Sequence, residues 1–284
     1  MKITKGTRAF LTGAGSGIGR ASAIELAELG CELFLTDINA RGLEETRGMI
    51  SDKPGRVCKS RAFDIRDLSA VKAFADEIHQ EFGPMDIVMN IAGIALFAQI
   101  EDMTHQHWEK VIGVNLWGPI HCIECFLPEM IRVKKGHLVN VASIAGLTGA
   151  PWHAAYSTSK WGLAGLSEVL RYDLMQHNIG VTLVCPGAVD TPLKYSAEIL
   201  GVDKTSPRVQ SLIQKFNQHT VPPEKVARMI IRAVEKKKFL VITSADVKFA
   251  YFCKHHLFPL YHYFLIRISH LLNSMREPNA LKNT

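Results

Sequence analysis

The stretch Arg8–Gly19 reads RAFLTGAGSGIG, a short apolar run that leads directly into closely spaced glycines. Arg8–Thr12 is predicted to form a buried strand, and apolar residues at helical spacing over 21–29 predict a helix that ends at Gly30. Glycines in such a turn let backbone amides approach a pyrophosphate closely, and the helix N-terminus adds unpaired N–H groups and a positive dipole end. The stretch therefore predicts a strand, a dinucleotide-binding turn and a helix.

The second predicted strand, Cys31–Thr36, runs into Asp37. An acidic residue about twenty positions beyond the glycines accepts hydrogen bonds from the ribose hydroxyls of NAD and repels the 2′-phosphate of NADP. We therefore expect NAD rather than NADP as the cofactor. Asp37 is an ordinary surface carboxylate only if the glycine turn binds no nucleotide.

Short apolar runs alternate with helical patterns along residues 1–245. This alternation, with polar residues at the carboxyl ends of the runs, predicts a single α/β domain: a doubly wound Rossmann-type fold with a mainly parallel seven-stranded sheet. The strand at 57–63 delivers Asp64, a candidate contact to the adenine edge. The remaining strands are predicted at 87–90, 137–142, 181–185 and 239–243, and helices are predicted between Asp67 and Gly83, from about Thr104, and over 154–177.

Tyr156 and Lys160 lie four positions apart in the run YSTSK. On a helix they share a face about one turn apart, so the ammonium can lie beneath the phenol. Lowering the phenol pKa from about 10 to about 7 takes roughly 4 kcal/mol of preferential stabilisation of the phenolate. A lysine cation, helped by a positive nicotinamide ring, is suited to this. Exposed helices also carry such pairs by chance, but Ser143 precedes this one by thirteen residues at the end of a strand, which favours a catalytic set.

Asn115 lies among the apolar residues of a predicted helix, where an amide is costly unless its hydrogen bonds are satisfied. Two interpretations are open. It caps a kink before Gly118-Pro119, or it holds a water in a proton relay.

Composition excludes several classes of protein. The chain is 47% hydrophobic and 21% charged, typical of a globular protein, with a net charge of +6. The basic run Lys236–Lys238 lacks the interleaved aromatic residues of nucleic-acid grooves, so we expect no nucleic-acid partner. Cys122 and Cys125 lie in an apolar helical pattern and predict buried thiols rather than a redox pair. The first residues do not resemble a signal peptide, which predicts a cytoplasmic setting.

The motifs of the chain occur in the order and at the spacings of the short-chain dehydrogenase/reductase family, which the chain resembles over roughly residues 5–245. The family usually has Asn-Asn-Ala-Gly where this chain has Asn90-Ile91-Ala92-Gly93, a departure at the less informative asparagine. The matching motifs are Thr12-Gly13-x-x-x-Gly17-x-Gly19, Asn90–Gly93, Asn115, Ser143, Tyr156-x-x-x-Lys160, and Pro186-Gly187 with Thr191.

The resemblance implies a role for each catalytic residue. Tyr156 would be the general acid or base, and Ser143 would hydrogen-bond the substrate oxygen. Lys160 would lower the tyrosine pKa and bind the nicotinamide ribose, while Asn115 would hold the water that links Lys160 to solvent. The residues implied to line the cofactor are Gly13, Gly15, Ser16, Gly17, Ile18, Gly19, Asp37, Asp64, Ile65, Asn90, Ile91, Ala92, Gly93, Tyr156, Lys160, Pro186, Gly187, Val189 and Thr191. Members commonly form dimers or tetramers, so a homodimer or homotetramer is expected.

Residues 190–223 lose strand periodicity and, by the same resemblance, form a lid over the substrate. The apolar residues there either line a hydrophobic pocket or only pack the lid on the domain. They are Leu193, Tyr195, Ile199, Leu200, Leu212, Ile213 and Phe216, together with Leu96, Ala145, Leu147 and Trp152 outside the lid.

Residues 246–284 form an apolar, basic extension that we expect to be helical and amphipathic. Lys248, Lys254 and Arg267 interrupt its apolar runs and Pro259 breaks the helix, so a membrane span is not expected. The aromatic and basic composition favours peripheral membrane contact, and packing against a neighbouring subunit is the alternative. Cys253, His255, His256 and His262 do not make a credible metal site, so no metal is expected.

These features together predict an NAD(P)-dependent oxidoreductase that transfers a hydride between NAD(H) and an alcohol or carbonyl. A hydrophobic pocket favours a lipophilic substrate: a long-chain alcohol, retinoid, steroid or hydroxyacyl lipid. The alternatives are an NADPH-dependent ketone reductase of the same fold and a non-catalytic protein that binds NAD or lipid.

Overall fold

The structure is a computed structural model that describes residues 1–203, 205–207, 209–211, 214 and 220–276. Its strands are β1 (Arg8–Thr12), β2 (Glu32–Asp37), β3 (Arg56–Ala62), β4 (Ile87–Asn90), β5 (Leu96–Phe97), β6 (Gly136–Val141), β7 (Ile179–Cys185), β8 (Glu198–Ile199) and β9 (Leu240–Ile242). Its helices are α1 (Gly17–Glu28), α2 (Ala40–Ile50), α3 (Leu68–Phe82), α4 (His105–Ile112), α5 (Gly118–Val133), α6 (Ala154–Asp173), α7 (Leu193–Ser196), α8 (Pro223–Glu235), α9 (Ala245–His256) and α10 (Phe258–Asn273).

Seven strands form one parallel sheet in the order β3-β2-β1-β4-β6-β7-β9. The predicted α/β fold is confirmed, and each strand lies within two residues of its predicted bounds. The strand order reverses between β1 and β4, which opens a crevice at their carboxyl ends. The glycine turn after β1 and Asn90–Gly93 after β4 flank this crevice, so the topology itself brings the two motifs together.

The core has two layers, one on each face of the sheet. Successive strand residues point to opposite faces, so Leu11 packs with the layer that contains α1 and α8, whereas Phe10 packs with the layer of α3 and α5. The Phe10 ring stacks on Phe126 of α5 with centroids 4.2 Å apart. Helices on both faces explain why the central strands β1, β4 and β6 are almost entirely buried.

The helix ends follow the predicted signals. The Asp67 side chain caps α3 by accepting hydrogen bonds from the backbone N–H groups of Ser69 and Ala70. Gly30 after α1 and Gly83 after α3 have φ of 79° and 77°, a left-handed conformation that favours glycine. Local sequence therefore fixes where these helices stop.

The helix predicted from Thr104 continues to Val133 through a π-helical turn, Gly113–Trp117, which contains Asn115. Among the described residues, this stretch is long and apolar enough to cross a membrane by length and composition alone. Its apolar residues Phe126 and Met130 are buried in the core, so it is a core helix of the domain.

The segment predicted to form a lid, residues 190–223, begins with α7 and β8, and β8 pairs in parallel with β5. Leu193 packs beside Tyr156, and Leu200 packs beside Leu96, whereas Tyr195 is exposed. Leu212, Ile213 and Phe216 lie outside the described residues.

The extension after β9 forms α9 and α10, which confirms the predicted C-terminal helices. Pro259 lies in the first turn of α10, where proline is tolerated because that N–H has no intrahelical acceptor. Most of the large apolar side chains of α10 face solvent, and Tyr261 is its buried residue.

The Cys122 thiol is buried and the Cys125 thiol is half-buried, and both are free. Burial raises the pKa of both thiols, so neither is a reactive thiolate. The described geometry supports a packing role for this pair.

Candidate active site

Four predicted catalytic residues meet where β6 and α6 approach the crevice. Ser143 follows the end of β6 and its Oγ accepts a hydrogen bond from the backbone N–H of Ala145. Tyr156 lies in the first turn of α6 and Lys160 in the second. A Cβ built on Gly93 would lie 3.1 Å from Asn115 Oδ1 and 3.3 Å from Lys160 Nζ, so these two side chains converge on the glycine after β4.

The Tyr156 side chain is buried, with 9% exposed. Burial raises the pKa of its phenol because the phenolate is poorly solvated there, while a hydrogen bond with the Ser143 side chain lowers it. In the protein alone, the net direction is upward. The predicted lowering toward neutrality is therefore not a property of this chain by itself.

Lys160 is also buried, with 4% exposed. Its Nζ donates a hydrogen bond of 3.0 Å to the backbone carbonyl of Val141 and lies 5.9 Å from the centre of the Tyr156 ring. Burial lowers the pKa of the ammonium to about 8, because the charged form loses its hydration. Tyr156 and Lys160 lie one turn apart on α6, and with a pKa of about 8 the amine is mostly protonated at neutral pH.

The Asn115 amide is satisfied by the protein. Its Oδ1 accepts from the backbone N–H of Ile94 at 2.9 Å, and its Nδ2 donates to the Ile94 carbonyl at 3.0 Å and to Ser159 Oγ at 3.1 Å. Both amide protons are thus used to tie α6 to the loop after β4. The kink interpretation matches the π-helical turn, and π-turns often mark functional sites. The water-holding role remains a prediction.

The glycine turn after β1 packs closely against the start of α1. A Cβ on Gly19 would lie 2.0 Å from the Gly13 carbonyl oxygen, so only glycine allows α1 to begin so close to the turn. The Ser16 side chain makes no capping hydrogen bond to α1, and the first turn of α1 holds no acidic residue. First-turn N–H groups have no intrahelical acceptors, so they are suited to an anionic ligand at this helix end.

Asp37 lies beside this turn at the end of β2. Its Oδ2 accepts from the Gly15 N–H at 2.8 Å and its Oδ1 accepts from the Asn39 N–H at 2.8 Å. A carboxylate fixed next to the turn has the placement expected of a ribose-binding residue. The residues therefore fit a dinucleotide cofactor.

The other acidic candidate, Asp64, is paired locally. Its carboxylate accepts from the Arg66 side chain at 2.8 and 2.6 Å. Hydrogen bonding to that guanidinium holds the pKa of Asp64 below its usual range. The neighbouring Ile65 is buried, and its Cδ1 would be 2.4 Å from a Cβ on Gly118.

Asn90 is part of a buried polar chain. Its Nδ2 donates to Asn140 Oδ1 at 2.8 Å, and Asn140 Nδ2 donates to Ser167 Oγ at 2.9 Å. The side chain therefore joins β4 to β6 and α6. The following turn is held by Thr12 Oγ1, which accepts from the N–H groups of Ile91 and Ala92 at 3.0 and 3.1 Å. The cofactor contacts predicted for Asn90–Gly93 thus lie on a turn that hydrogen bonds tie to the end of β1.

The Pro186–Thr191 segment closes the crevice from the other side. A Cβ on Gly17 would lie 2.9 Å from Thr191 Cγ2, so this predicted residue faces the glycine turn. The carbonyl of Pro186 accepts from the Ile144 N–H at 2.8 Å, which joins the segment to the loop after Ser143. Val189 is buried and bridges to Val221. Gly187 packs against α9, where a Cβ would lie 2.5 Å from Val247 Cγ2.

An apolar wall surrounds Tyr156. The buried residues Ala95, Ala145 and Ala197 pack around Tyr156 with Phe97 and Leu193. The Phe97 ring centroid lies 5.9 Å from that of Tyr156 and 4.4 Å from that of His153. Of the predicted pocket residues, Ala145 and Leu193 thus reach the tyrosine, whereas Leu147 packs in a separate cluster with Leu163.

Several residues of the site were not predicted from the sequence. Two of them, His153 and Phe97, lie beside the Tyr156 ring. The third, Ser159, supports the tyrosine backbone because its Oγ donates a hydrogen bond to the Tyr156 carbonyl at 2.7 Å. Ser159 stands three positions after Tyr156, and this helical spacing was an available signal. His153 and Phe97 come together only through tertiary packing.

This arrangement can hold and move a proton. Ser143 and Tyr156 present two hydroxyls to one space, Lys160 places a cation nearby, and the apolar wall excludes water. A parallel sheet with this strand order, a glycine turn and such a proton-transfer site define a dinucleotide-dependent oxidoreductase. The family model described as short chain dehydrogenase matches residues 7–199, and the chain belongs to the short-chain dehydrogenase/reductase family.

Named relatives agree with this assignment. The chain is 32% identical to an oxidoreductase of Mycobacterium tuberculosis named SadH over 87% of its own length and 90% of that protein. It is 30% identical to the 3-oxoacyl-[acyl-carrier-protein] reductase FabG of Thermotoga maritima, over 80% of this chain and 89% of that one. A crystal structure of a family member from Burkholderia phymatum in complex with NAD superimposes with a TM-score of 0.79 at 25% identity, covering 92% of this chain and 96% of that chain. The protein is therefore an NAD(P)-dependent oxidoreductase of this family.

Proposed function

We propose that the protein transfers a hydride between NAD(H) and a lipophilic secondary or primary alcohol or its carbonyl. The observation that carries the proposal is the apolar wall of Ala95, Ala145, Ala197 and Phe97 around Tyr156. A hydrocarbon substrate gains free energy from such a wall, whereas a polar one would leave its groups unpaired. The substrate classes that fit are long-chain alcohols, retinoids, steroids and hydroxyacyl lipids.

In the proposed reaction, Tyr156 and Ser143 act on the substrate oxygen. When bound, the cofactor supplies the hydride acceptor for oxidation or the hydride donor for reduction. In oxidation the Tyr156 phenolate takes the hydroxyl proton, and in reduction the phenol returns it. Ser143 orients the oxygen through a hydrogen bond. Lys160 favours the phenolate through its charge and binds the nicotinamide ribose.

We propose NAD rather than NADP because of Asp37. Its carboxylate is held 2.8 Å from the Gly15 amide of the glycine turn. An NAD bound at this turn would place its adenosine ribose near that carboxylate, and the 2′-phosphate of NADP would meet a negative charge. The alternative is an NADPH-dependent ketone reductase, and the similarity to a 3-oxoacyl reductase supports the reduction of a ketone but not the choice of NADPH. The NAD complex of the Burkholderia relative supports the first choice.

We further propose a cytoplasmic protein whose extension makes peripheral contact with anionic membranes. On α10, Phe258, Tyr263 and Phe264 are 60%, 59% and 56% exposed, a high value for aromatic side chains. The helices α9 and α10 contain Lys248, Lys254 and Arg267 but only one acidic residue, Asp246. Exposed aromatic side chains with an excess of cations are complementary to an anionic lipid surface.

A homodimer or homotetramer is also proposed. Trp117, Trp161 and Tyr172 on the helices that carry Asn115 and Tyr156 are 52%, 44% and 59% exposed. Helices that pair with those of a second copy would cover these rings. Light scattering on the purified protein should give twice or four times the 31.6 kDa chain mass, and a monomer would contradict this proposal.

The first experiment compares wild type with Tyr156→Phe. NADH formation is followed with straight-chain alcohols of increasing length, a steroid and a retinoid, each at equal concentration. We expect activity that rises with chain length and falls by at least about 10²-fold in the variant, while NADH binding, measured by its fluorescence, is unchanged. Activity confined to small polar alcohols would refute the lipophilic substrate, and full activity of the variant would refute the role of Tyr156.

A further inference from the structure

Two loops border Tyr156. The first loop (residues 94–102) carries Phe97, whose ring is 5.9 Å from the tyrosine ring. The second loop (residues 144–153) carries Ala145, which packs on Tyr156, and ends at His153, whose ring is 6.2 Å away. The separation of these loops therefore sets the space next to the reacting group.

The end of α10 joins the two loops. Asn273 Oδ1 accepts a hydrogen bond from Gln99 Nε2 of the first loop at 2.6 Å and another from Trp152 Nε1 of the second loop at 2.9 Å. One side chain oxygen thus bridges both loops.

Arg276, just after α10, makes three contacts with the first loop. Its guanidinium lies 2.6 Å from Gln99 Oε1, 2.8 Å from Glu101 Oε1 and 2.7 Å from Asp102 Oδ1. Its side chain and that of Asp102 are mostly buried, with 19% and 10% exposed, so this network is less screened by solvent than a surface ion pair. The guanidinium therefore fixes the turn at the end of the first loop.

The second loop is held at further points. Tyr261 donates from its hydroxyl to the Gly149 carbonyl at 2.9 Å, and Lys254 donates to the Leu147 carbonyl at 2.5 Å. Trp152 has a φ of 66°, a left-handed conformation that a bulky residue adopts only when its surroundings enforce it. The Trp152 carbonyl accepts a hydrogen bond from the Ala98 N–H at 2.9 Å, so the backbone of Trp152 also helps to position the first loop.

We propose that Asn273 and Arg276 are positioning residues that set the separation of the two loops and thereby the size of substrate accepted beside Tyr156. The inference rests on the proposed function in that it places the substrate between these loops. Neither residue touches the glycine turn or Asp37 in the described structure, so cofactor binding should be independent of both. The extension is then a specificity element of the enzyme.

The test compares Asn273→Ala and Arg276→Met with Arg267→Met, a control that removes an exposed guanidinium from the same extension. With the longest alcohol that wild type oxidises, we expect kcat/KM to fall at least tenfold in the first two variants, mainly through KM. The order of preference among chain lengths should change, while KM for NAD and the control variant stay within twofold of wild type. Unchanged chain-length preference in Asn273→Ala and Arg276→Met would overturn the proposal.

A second readout does not depend on turnover. Hydrogen exchange of the amides in residues 144–153 should be at least threefold faster in Asn273→Ala, with no change in residues 8–19. If Asn273→Ala does not fold, Trp152→Phe removes the same hydrogen bond from the other side. Wild-type inactivity on every alcohol and ketone would refute the proposed function, whereas unchanged exchange in these loop variants would refute the positioning role.

Discussion

Tyr156 and Ser143 are coupled: burial raises the pKa of the tyrosine phenol, and a hydrogen bond with the serine side chain lowers it. The protein alone therefore does not favour the Tyr156 phenolate, and a further interaction has to lower the phenol pKa before Tyr156 can act as a base. In alcohol oxidation the active form is the phenolate, so the rate should rise with pH. In carbonyl reduction the active form is the phenol, and the rate should fall as pH rises through the same pKa.

Ser143→Ala should raise the pKa that governs alcohol oxidation, because it removes the hydrogen bond that favours the phenolate. We expect a loss of activity at neutral pH, about 10²-fold, that is partly recovered at alkaline pH. The measurement is the pH profile of kcat/KM for oxidation.

The matched control for that experiment is Ser157→Ala. Ser157 follows Tyr156 in the chain, and its hydroxyl oxygen is buried and has no hydrogen-bond partner within the described residues. Its loss should leave the pH profile unchanged. A pKa in Ser143→Ala equal to that of wild type would refute the coupling.

Asp37→Ala should weaken discrimination against NADP. The carboxylate that would repel a 2′-phosphate is removed, although its hydrogen bond to the Gly15 amide is lost as well. We expect the ratio of kcat/KM for NAD to that for NADP to fall at least about tenfold, equivalent to 1.4 kcal/mol. Asp52→Ala, which removes an exposed carboxylate elsewhere, should leave the ratio unchanged. An unchanged ratio in Asp37→Ala would shift support to the NADPH-dependent alternative.

His137 should make the protein sensitive to acid. It is fully buried in β6, its Nε2 is 2.8 Å from Thr182 Oγ1, and its Nδ1 has no partner among the described residues. Burial lowers its pKa from the ordinary 6.5 to about 3, so the folded protein binds fewer protons than the unfolded chain. The stability that the fold gains by keeping this imidazole neutral is fully present above the pKa of the unfolded chain. It is lost as the pH falls from about 6.5 toward 3.

The measurement is the free energy of unfolding at pH 7.5 and pH 5.5. A single histidine with these pKa values costs about 1.4 kcal/mol of stability at the lower pH. His137→Asn should lower stability at pH 7.5 but remove this part of the pH dependence. His105→Asn, at an exposed position, should keep the wild-type dependence of the unfolding free energy on pH. The same pH dependence in wild type and His137→Asn would contradict the role given to His137.

The fold and the central site could be predicted because their signals are local. Each of these signals has one geometric consequence that nearby residues determine. The signals are the glycines at 13–19, Asp37 at a strand end and the Tyr156-x-x-x-Lys160 spacing. The helix ends at Gly30 and Gly83 follow from backbone conformation alone.

Contacts between distant segments could not be predicted in this way. The bridge from Asn273 to Gln99 and Trp152 joins residues more than a hundred positions apart, and no periodicity in the sequence reports it. The direction of the Tyr156 pKa also depends on burial, which raises it, competes with the hydrogen bond with the Ser143 side chain and prevails in the protein alone. Tertiary packing therefore sets the direction of the tyrosine pKa, while local sequence pattern predicts the fold.

Phe258→Ser with Phe264→Ser should weaken binding to vesicles that contain phosphatidylserine. Both rings are more than half exposed on α10, with 60% and 56% of their surface accessible, and insertion would bury them in lipid. Losing two such rings should weaken binding at least about tenfold, since burying one phenylalanine contributes about 1.5–3 kcal/mol. Vesicle binding is measured by sedimentation with phosphatidylserine-containing vesicles and with pure phosphatidylcholine vesicles.

The control is Leu29→Ser with Met49→Ser, which removes exposed apolar residues at the ends of α1 and α2 and should bind vesicles as wild type does. Equal binding of both double variants would refute the membrane contact, and a loss of oligomer in the first alone would assign this face to a second copy of the chain.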